Sequence, residues 1–563
     1  MLTDDEILAK FPYEQQRPDQ LDAIRTILDN FNSNKNIVIV EMPTGAGKSA
    51  IAYAVAQFFE SAFWICPQKI LQDQIMRDFA TPSKNLTPII DLKGRNNYEC
   101  THNQRTAQIL YRSLLTDQGK SPNEIDQAVD KLMSNKKADD APEGVLRLLT
   151  KETQCNAGIC RTRDGKSKCK ECLPDKCSYW KRHTEAMNAR ICLMNFKSFL
   201  FQTAITKRFK PREFMIIDEA HSIESELMSF VNLTLSDRSF KKHGVSFSHL
   251  ATVQEYRKFM EDNGVEDIID SIIKIASNAG DVIKEDEWLE TKRKFKNFMD
   301  TAESGNWVSI FKPNDKWNTI ELKPVYVRDM AKDLVFSKAD KILMMSATIL
   351  SPQVVCSSLG IEGNSFSIRY GSKFPVENRP IYFTPVGSMS YKNKHATMPK
   401  VIKKVDEILN KYHDKKGIIH THNFEIAKAL LKKCKNNSRM LFQEDWPNKA
   451  EMLIEHGKSK NSVIVAPAMH EGLDLKDDLS RFQIIVKIPY PPIKDNPQLE
   501  ARMKDSQEYY DWITTLKLVQ SSGRSVRSET DWAHTYIIDS DFEWFRKKVD
   551  RMLPAWFKQA LVD

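Results

Sequence analysis

A glycine-rich loop that directly follows a short apolar run constrains the fold of this chain most strongly. Residues 36–41 (NIVIVE) are typical of a buried strand, and residues 42–49 (MPTGAGKS) come immediately after them. Residues 51–59 (IAYAVAQFF) then favour a helix. Glycine lets backbone N–H groups approach phosphate oxygens closely, and the start of a helix adds a favourable dipole. The order strand, loop and helix therefore predicts an α/β sheet with a phosphate-binding turn.

Each part of this loop has a distinct predicted role. Lys48 would neutralise the β- and γ-phosphates, and the Ser49 hydroxyl would ligate Mg²⁺. Met42 stands where the usual pattern has its first glycine, so a simple helix-capping turn is the alternative. The residues predicted to contact the nucleotide are Thr44, Gly45, Ala46, Gly47, Lys48 and Ser49.

A second strand ends in two carboxylates. Residues 214–217 (FMII) precede Asp218, Glu219, Ala220 and His221, the tetrapeptide DEAH. Asp218 would hold the Mg²⁺ ion, and Glu219 would orient and deprotonate an attacking water. In other contexts the same tetrapeptide is commonly the start of a solvent-exposed helix. The preceding buried strand is the feature that favours a functional role for this motif.

Further short apolar runs alternate with helical segments, which is typical of parallel α/β sheets. In the first half of the chain these runs are 62–66 and 341–345, and in the second half they are 417–420, 462–465, 482–487 and 535–538. Two stretches interrupt the alternation. Residues 98–179 hold most of the cysteines, and residues 225–325 are charged and mainly helical in pattern.

Composition limits the class of protein. A chain of 563 residues is too long for one hydrophobic core, so we expect three or four domains. The net charge of +8 is compatible with a basic groove but does not by itself indicate nucleic acid. No apolar stretch of about 18 residues is present, and the acidic N-terminus does not match a signal peptide. We therefore expect no membrane association and a cytosolic location, in a prokaryote or a phage-infected host, or a nuclear one in a eukaryote.

The cysteines are clustered. Of ten in the chain, six lie between Cys100 and Cys177. Thiolates at such short spacings favour a shared metal centre over disulfides in a long cytosolic chain, and zinc fits these spacings as well as iron–sulfur does. Cys66, Cys192, Cys356 and Cys434 are isolated and are predicted to be core residues.

Taken together, the motifs resemble one family, the XPD/DinG-like superfamily 2 helicases with an iron–sulfur cluster. The resemblance covers nearly the whole chain in the family's order. The segments that carry it are 11–13 with 17–20, 42–49, 66–68, 92–100 (LKGRNNYEC), 218–221, 346–348 (SAT), 371–380 (GSKFPVENRP), 471–474 (EGLD) and 520–527 (QSSGRSVR).

This resemblance implies two RecA-like parallel-sheet motor domains, the first carrying a cysteine-rich Fe–S insertion and a mainly helical arch insertion. The implied boundaries place motor domain 1 at 1–97, 180–224 and 326–374. The Fe–S insertion would occupy 98–179, the arch 225–325, and motor domain 2 375–563.

The resemblance also implies functional residues. Gln20 would contact adenine, and Gly472 and Asp474 would belong to the nucleotide site. Arg524 and Arg527 can share one helix face and would act as arginine fingers on ATP, with Gln520 beside them.

The same resemblance implies a [4Fe–4S] cluster. Cys100 would be its first ligand and Cys177 its last, by their sequence contexts. The two middle ligands would come from Cys155, Cys160, Cys169 and Cys172, and the sequence leaves open which two.

The implied activity is ATP-driven translocation on single-stranded DNA, with 5′→3′ polarity taken from the family. Expected partners are single-stranded, duplex or forked DNA, with single-strand-binding or repair proteins, and the chain is expected to be a monomer. Two alternatives stay open at this point. One is a translocase that removes proteins or R-loops without unwinding plain duplex, and the other is a non-catalytic DNA-binding scaffold with a structural zinc.

The cysteine cluster generates the first prediction. Protein purified without oxygen should contain about four irons per chain, with matching sulfide and broad visible absorption, because four thiolates hold a [4Fe–4S] centre. Elemental analysis and an absorption spectrum measure this. Zinc without iron would contradict the predicted [4Fe–4S] cluster and would leave the interpretation of the ATP-binding motifs unchanged.

Overall fold

The structure is a computed structural model, and it describes most of the chain. The described residues are 3–82, 85–98, 101–135, 145, 177–278, 282–446, 449–467, 475, 477–494, 496–523, 526 and 530–562. They form two compact units. Unit 1 consists of Met1–Val55, Ile217–Ser222 and Lys341–Asp563, and unit 2 consists of Ala56–Ile216 and Ile223–Asp340.

The β-strands are short, as expected for α/β domains. In chain order they are β1 Ile37–Glu41, β2 Ala62–Cys66, β3 Ile89–Leu92, β4 Ile191–Asn195, β5 Arg212–Asp218, β6 Leu233–Ser236, β7 Trp307–Lys312, β8 Thr319–Pro324, β9 Ala339–Ser346, β10 Ser365–Arg369, β11 Ile381–Gly387, β12 Gly417–His420, β13 Met440–Phe442, β14 Val463–Ala466, β15 Phe482–Ile485, β16 His534–Asp539 and β17 Leu561–Val562.

The α-helices separate these strands and also form much of the segment 225–325. In chain order they are α1 Asp4–Leu8, α2 Pro18–Asn32, α3 Lys48–Ala56, α4 Lys69–Phe79, α5 Thr101–Asp117, α6 Pro122–Asn135, α7 Ser178–Asn188, α8 Phe196–Leu200, α9 Ile223–Val231, α10 Val253–Asp262, α11 Val265–Asn278, α12 Val282–Thr301, α13 Arg328–Leu334, α14 Pro352–Leu359, α15 Lys394–Lys411, α16 Phe424–Lys433, α17 Lys449–Lys458, α18 Pro497–Asp505, α19 Gln507–Ser522, α20 Asp541–Lys548 and α21 Ala555–Ala560. None of the helices in the described part of the chain is both long and apolar enough to span a membrane.

The first sheet has the strand order β10-β1-β9-β5-β2-β4-β3, and β5 contributes residues to both units. Within unit 1, β1 runs parallel to β9 and to β10. Within unit 2, β4 runs parallel to β2 and to β3. All five residues of β1 are buried, as expected for a parallel strand covered on both faces.

The second sheet lies entirely in unit 1 and has the order β13-β14-β12-β15-β16-β11-β17. Its strand pairs are parallel. Successive residues of β12 belong to two different hydrophobic cores. Ile419 packs with buried residues of α15 and α16, whereas Ile418 packs in the same core as Met452 of α17. Burial of both faces explains the continuous apolar runs in the sequence. The two parallel sheets confirm the predicted α/β fold class.

The predicted strands at 62–66 and 417–420 are confirmed with the same bounds, and the others agree to within one or two residues. The sequence analysis did not find β3, β4, β10, β11, β13 or β17. These strands range from two residues in β17 to seven in β11. A short apolar run cannot be distinguished from part of a helix by its pattern alone.

Unit 2 also contains an antiparallel sheet in the order β6-β8-β7, inside the segment predicted to be mainly helical. Alternate residues of β8, including Ile320 and Leu322, are buried against helices of this segment. The helices α9 to α12 agree with the helical prediction, and the sheet is an addition to it. The period-two pattern is only a few residues long in each strand, which makes it hard to detect in a charged sequence.

Arg212 at the start of β5 is a buried cation that holds several chain segments of unit 2 together. Its guanidinium lies 4.6 Å from the ring centroid of Phe63, and burial lowers its pKa. The carbonyl oxygens that accept its hydrogen bonds belong to Ala62, Ala186, Met187, Ala189 and Arg190.

Arg212→Met should therefore destabilise unit 2 by about 3 kcal/mol, because it leaves buried carbonyl groups without donors. Faster amide hydrogen exchange in β2 and β4 would report this loss. Lys210→Met, at a neighbouring exposed position, is the matched control and should exchange like the unsubstituted protein. Equal exchange in the two variants would show that Arg212 has no such role.

Candidate active site

The loop between β1 and α3 has the geometry of a phosphate cradle. Gly45 and Gly47 have φ angles of 78° and 84°, in the left-handed region that glycine adopts without strain. A side chain on Gly47 would also overlap Nε2 of Gln20. The loop therefore needs glycine at this position both for its backbone conformation and for its close approach to Gln20.

Gln20 connects the N-terminal segment to this loop by hydrogen bonds. Its Oε1 accepts a hydrogen bond from the backbone N–H of Arg17 at 2.9 Å, and its Nε2 donates to the carbonyl of Ala46 at 3.1 Å. Arg17 donates from Nη1 to the carbonyl of Gly45 at 2.9 Å. These contacts connect the start of α2 to the phosphate loop, and the predicted adenine contact of Gln20 stays a prediction.

A cavity opens beside Gln20, and unit 1 supplies its lining. Two aromatic residues that the sequence analysis did not select, Tyr370 and Phe374, line this cavity together with Arg17 and Pro43. The Tyr370 hydroxyl donates to Asp22 of α2 at 2.8 Å, and Lys373 pairs with Asp19 at 3.0 Å. Flat aromatic rings beside a phosphate loop suit the stacking of a nucleobase. The sequence signal that could have identified these two residues is the segment 371–380, which contains Phe374 and directly follows Tyr370.

Lys48 begins α3, and its ammonium donates to the Met42 carbonyl at 3.2 Å. Met42 itself is buried, and its backbone N–H donates to the carbonyl of Ser346 at 2.9 Å. Met42, in place of the usual glycine, therefore contributes an apolar side chain to the core. Its backbone N–H and carbonyl still form hydrogen bonds with Ser346 and Lys48. Thr44 lies in the loop and Ser49 in the first turn of α3, as predicted.

The acidic pair stands at the carboxyl end of β5. Asp218 is buried and accepts a hydrogen bond from the Glu219 backbone N–H at 2.9 Å. Burial, together with the charge of Glu219, raises the pKa of Asp218 to about 6, against the opposing effect of Lys48. Glu219 has a φ of 49°, which costs energy for a residue with a Cβ. Such strain is typical of functional positions.

Burial opposes ionisation of Glu219, but other groups outweigh it. A hydrogen bond with His221, the charges of His221 and Lys48, and the Ser346 hydroxyl together lower the pKa of Glu219. Glu219 therefore ionises before Asp218 as the pH rises. Oxygen ligands of this kind, with the Ser49 hydroxyl, suit Mg²⁺.

A chain of hydrogen bonds leads from Glu219 to α19, all within unit 1. The Ser346 hydroxyl donates to Oε2 of Glu219 at 3.1 Å, and Ser346 Oγ lies 2.7 Å from Nδ1 of His221. Nε2 of His221 lies 2.8 Å from Nε2 of Gln520. If the Gln520 amide donates, His221 accepts at Nε2 and carries its proton on Nδ1, and every bond in the chain has one donor and one acceptor.

Several predicted site residues lie outside the described residues. They are Gly472, Asp474, Arg524, Arg527, Cys100, Cys155, Cys160, Cys169 and Cys172. Cys177 is described: it is buried and precedes α7 as its N-cap residue. The structure brings together Gln20, residues 44–49, Asp218, Glu219, His221 and Gln520 in unit 1, whereas Cys177 belongs to unit 2.

Comparison with known proteins agrees with this geometry. A model of the helicase C-terminal domain matches residues 405–560, and a model of the type III restriction enzyme res subunit matches residues 14–143. An XPD helicase structure superposes with a TM-score of 0.60 at 16% identity, covering 96% of this chain and 99% of the other. The structure of S. tokodaii Xpd4 gives a TM-score of 0.54 at 11% identity, covering 97% and 100%. These likenesses establish the fold.

Curated relatives match shorter segments. The ATP-dependent DNA helicase CHL1 of Kluyveromyces lactis is 23% identical over 167 residues, which cover 25% of this chain and 20% of that protein. The ATP-dependent DNA helicase DDX11 of Mus musculus is 28% identical over 112 residues, covering 17% and 12%. The matched part of the chain thus spans a fifth or less of the length of these relatives.

The first parallel sheet carries the phosphate loop and the acidic pair, and Gln520 comes from the region that the helicase C-terminal domain model matches. These matches agree with the resemblance to the XPD/DinG-like superfamily 2 helicases.

Gly47→Ala tests the cradle. The substitution should weaken binding of a fluorescent ATP analogue by about tenfold or more, because it strains the backbone and displaces Gln20. Gly119→Ala is the matched control, since Gly119 has a φ of 75° and open space around it. Unchanged affinity in Gly47→Ala would contradict the predicted nucleotide site.

Proposed function

We propose that this protein is an ATP-dependent DNA helicase that translocates on single-stranded DNA with 5′→3′ polarity. The observation that carries this proposal is the chain of hydrogen bonds from Glu219 through Ser346 and His221 to Gln520. It links the carboxylate beside the phosphate loop to a helix of the second motor domain. The similarity to CHL1 and DDX11, which are ATP-dependent DNA helicases, supports DNA as the substrate.

In this proposal each group at the loop has one task in ATP hydrolysis. Lys48 releases its contact with Met42 to bind the β- and γ-phosphates, and Ser49 and Asp218 hold Mg²⁺. Glu219 orients the attacking water and accepts its proton, for which an ionised carboxylate is required. Arg524 and Arg527, on the segment that follows α19, would complete the site as arginine fingers, worth roughly 10³–10⁵ in rate in related hydrolases.

The hydrogen-bond chain also suggests how hydrolysis is coupled to movement. Gln520 contacts His221 only while α19 lies against the DEAH segment. Any shift of Glu219 or Ser346 during hydrolysis changes the position of His221, because the three side chains share consecutive hydrogen bonds. The second motor domain would respond through Gln520, and repeated closing and opening would move the protein along DNA.

The iron–sulfur cluster is part of the proposal, with Cys100 and Cys177 as two of its ligands. The described residues beside these cysteines support the pairing. The ring centroids of Tyr98 and Tyr179 are 5.4 Å apart, and these two residues stand two positions before Cys100 and two positions after Cys177 in the sequence. Thiolates from both segments could therefore reach one metal centre. When bound, the cluster would stabilise the insertion at 98–179, and arch and cluster segments together would guide single-stranded DNA.

Lys48→Ala should lower DNA-stimulated ATP turnover by about a hundredfold or more, because the phosphates lose their main positive partner. A coupled ATPase assay with and without a single-stranded oligonucleotide measures this. Lys433→Ala, which removes an exposed lysine from α16, is the control and should retain full turnover.

Wild-type turnover in Lys48→Ala would overturn the site assignment. A purified protein that hydrolyses ATP but shows no response to single-stranded DNA would overturn the proposed substrate. Displacement of a strand only from substrates with a 5′ single-stranded tail is the expected result for polarity, and displacement only from 3′ tails would reverse that part.

A further inference from the structure

Arg379 is a buried cation in the segment 371–380, two residues before β11 begins. It is only 9% exposed. Burial lowers the pKa of its guanidinium, and the charge of Glu377 opposes this effect. Taking a guanidinium out of water costs free energy unless its N–H groups find hydrogen-bond acceptors in the protein. The position of Arg379 is therefore fixed by its specific partners and not by solvent.

The guanidinium of Arg379 joins two segments that are far apart in the sequence. Its Nε donates to the carbonyl of Phe374 at 3.2 Å, and its Nη1 donates to the carbonyl of Trp556 in α21. Its Cζ atom also lies 6.0 Å from the centroid of the Trp556 ring. Because the N–H groups of a guanidinium are fixed in one plane, a movement of either carbonyl displaces the group that binds the other. We call this connection, from Phe374 through Arg379 to Trp556, the base bridge.

One end of the base bridge lies at the cavity beside the phosphate loop. Phe374 lines that cavity together with Arg17, Gln20 and Pro43. A nucleobase that enters the cavity would contact the side chain of Phe374, and the backbone carbonyl of the same residue accepts the hydrogen bond from Arg379. Filling of the cavity would therefore act on Arg379 through a single residue.

The other end of the base bridge lies at the last turn of α19. Gly523 is the C-cap residue of this helix, and its N–H donates to the carbonyl of Val519 at 3.1 Å. A Cβ atom added to Gly523 would lie 3.7 Å from Cη2 of Trp556, so the Trp556 ring packs beside the end of α19. Three residues before Gly523, Nε2 of Gln520 lies 2.8 Å from Nε2 of His221. A shift of Trp556 would thus act on the helix that supplies the last member of the hydrogen-bond chain.

One donor of the guanidinium lacks an acceptor in this arrangement. Nη2 of Arg379 is buried and has no hydrogen-bond partner among the described residues. A buried N–H group without an acceptor costs free energy, so a rearrangement that brings an acceptor to Nη2 is favoured. An element that changes position when nucleotide binds needs a second favourable arrangement, and this donor would provide the driving force for it.

We propose that Arg379 and Trp556 are positioning residues that make ATP hydrolysis depend on the nucleobase. A base in the cavity would hold Phe374, and the base bridge would then fix the end of α19, from which Gln520 contacts the DEAH segment. This inference rests on the proposed function and adds to it a base-dependent control of the same site. Energetic coupling between two sites is carried by packed side chains and hydrogen bonds, which the base bridge supplies.

The test compares the maximal turnover of ATP with that of UTP, whose smaller base fills less of the cavity, at saturating single-stranded DNA. The wild type should turn over ATP about tenfold faster than UTP, and Arg379→Met should lower ATP turnover to about the UTP value while UTP turnover stays the same. The KM for ATP should change less than the turnover number, because the phosphate contacts remain. Arg551→Met, which removes an exposed arginine shortly before α21, is the matched control and should leave both turnover numbers unchanged.

Trp556→Ala tests the other half of the base bridge. It removes the ring beside Gly523 and leaves the carbonyl that accepts from Arg379, so it should reduce the preference for ATP by a similar factor. Because both substitutions interrupt one connection, the double variant Arg379→Met/Trp556→Ala should lose no more of this preference than either single variant. Trp556→Phe, which keeps an aromatic ring, should recover part of it.

The outcomes separate this inference from the proposed function. An equal fall of ATP and UTP turnover in Arg379→Met would show that Arg379 only supports the fold, and this would overturn the inference. Equal turnover of ATP and UTP by the wild type would also overturn it, as would losses that multiply in the double variant. A wild-type protein without DNA-stimulated ATP turnover would instead overturn the proposed function.

Discussion

The parallel pairing of β1 with β9 is the constraint on which the active site depends. Its register places Glu41 opposite Ser346, so that the phosphate loop and the SAT segment leave the sheet side by side. The Met42 N–H then donates to the Ser346 carbonyl, and the Ser346 hydroxyl reaches Glu219. Because side chains alternate between the faces of a sheet, a slip of one residue would turn Ser346 away from the DEAH segment.

The site built on this register combines strain with buried charge. Glu219 adopts a left-handed backbone, and Asp218 is a carboxyl group buried beside it. Both features cost stability in the absence of a ligand. A divalent cation and a nucleotide would neutralise the charges, which explains why a chain would retain such an arrangement at one place in the fold.

The hydrogen-bond chain joins the DEAH segment to α19. Nε2 of Gln520 on α19 lies 2.8 Å from Nε2 of His221. Helix α19 also packs against α18 and against β15 of the second sheet. In the proposed motor, a displacement of His221 would therefore be passed to the second sheet through α19.

The sequence by itself determined eight strands of the two parallel sheets, the phosphate loop, the acidic pair and the α/β class, because each of these follows from local patterns of apolar residues, glycines and carboxylates. It could not determine contacts between distant segments. The cavity that Tyr370 and Phe374 share with Arg17, the contact of Gln520 with His221, and the hydrogen bond from the Met389 N–H to Asp539 all join residues far apart in the chain. Only tertiary packing decides which distant side chains meet, since no local pattern carries that information.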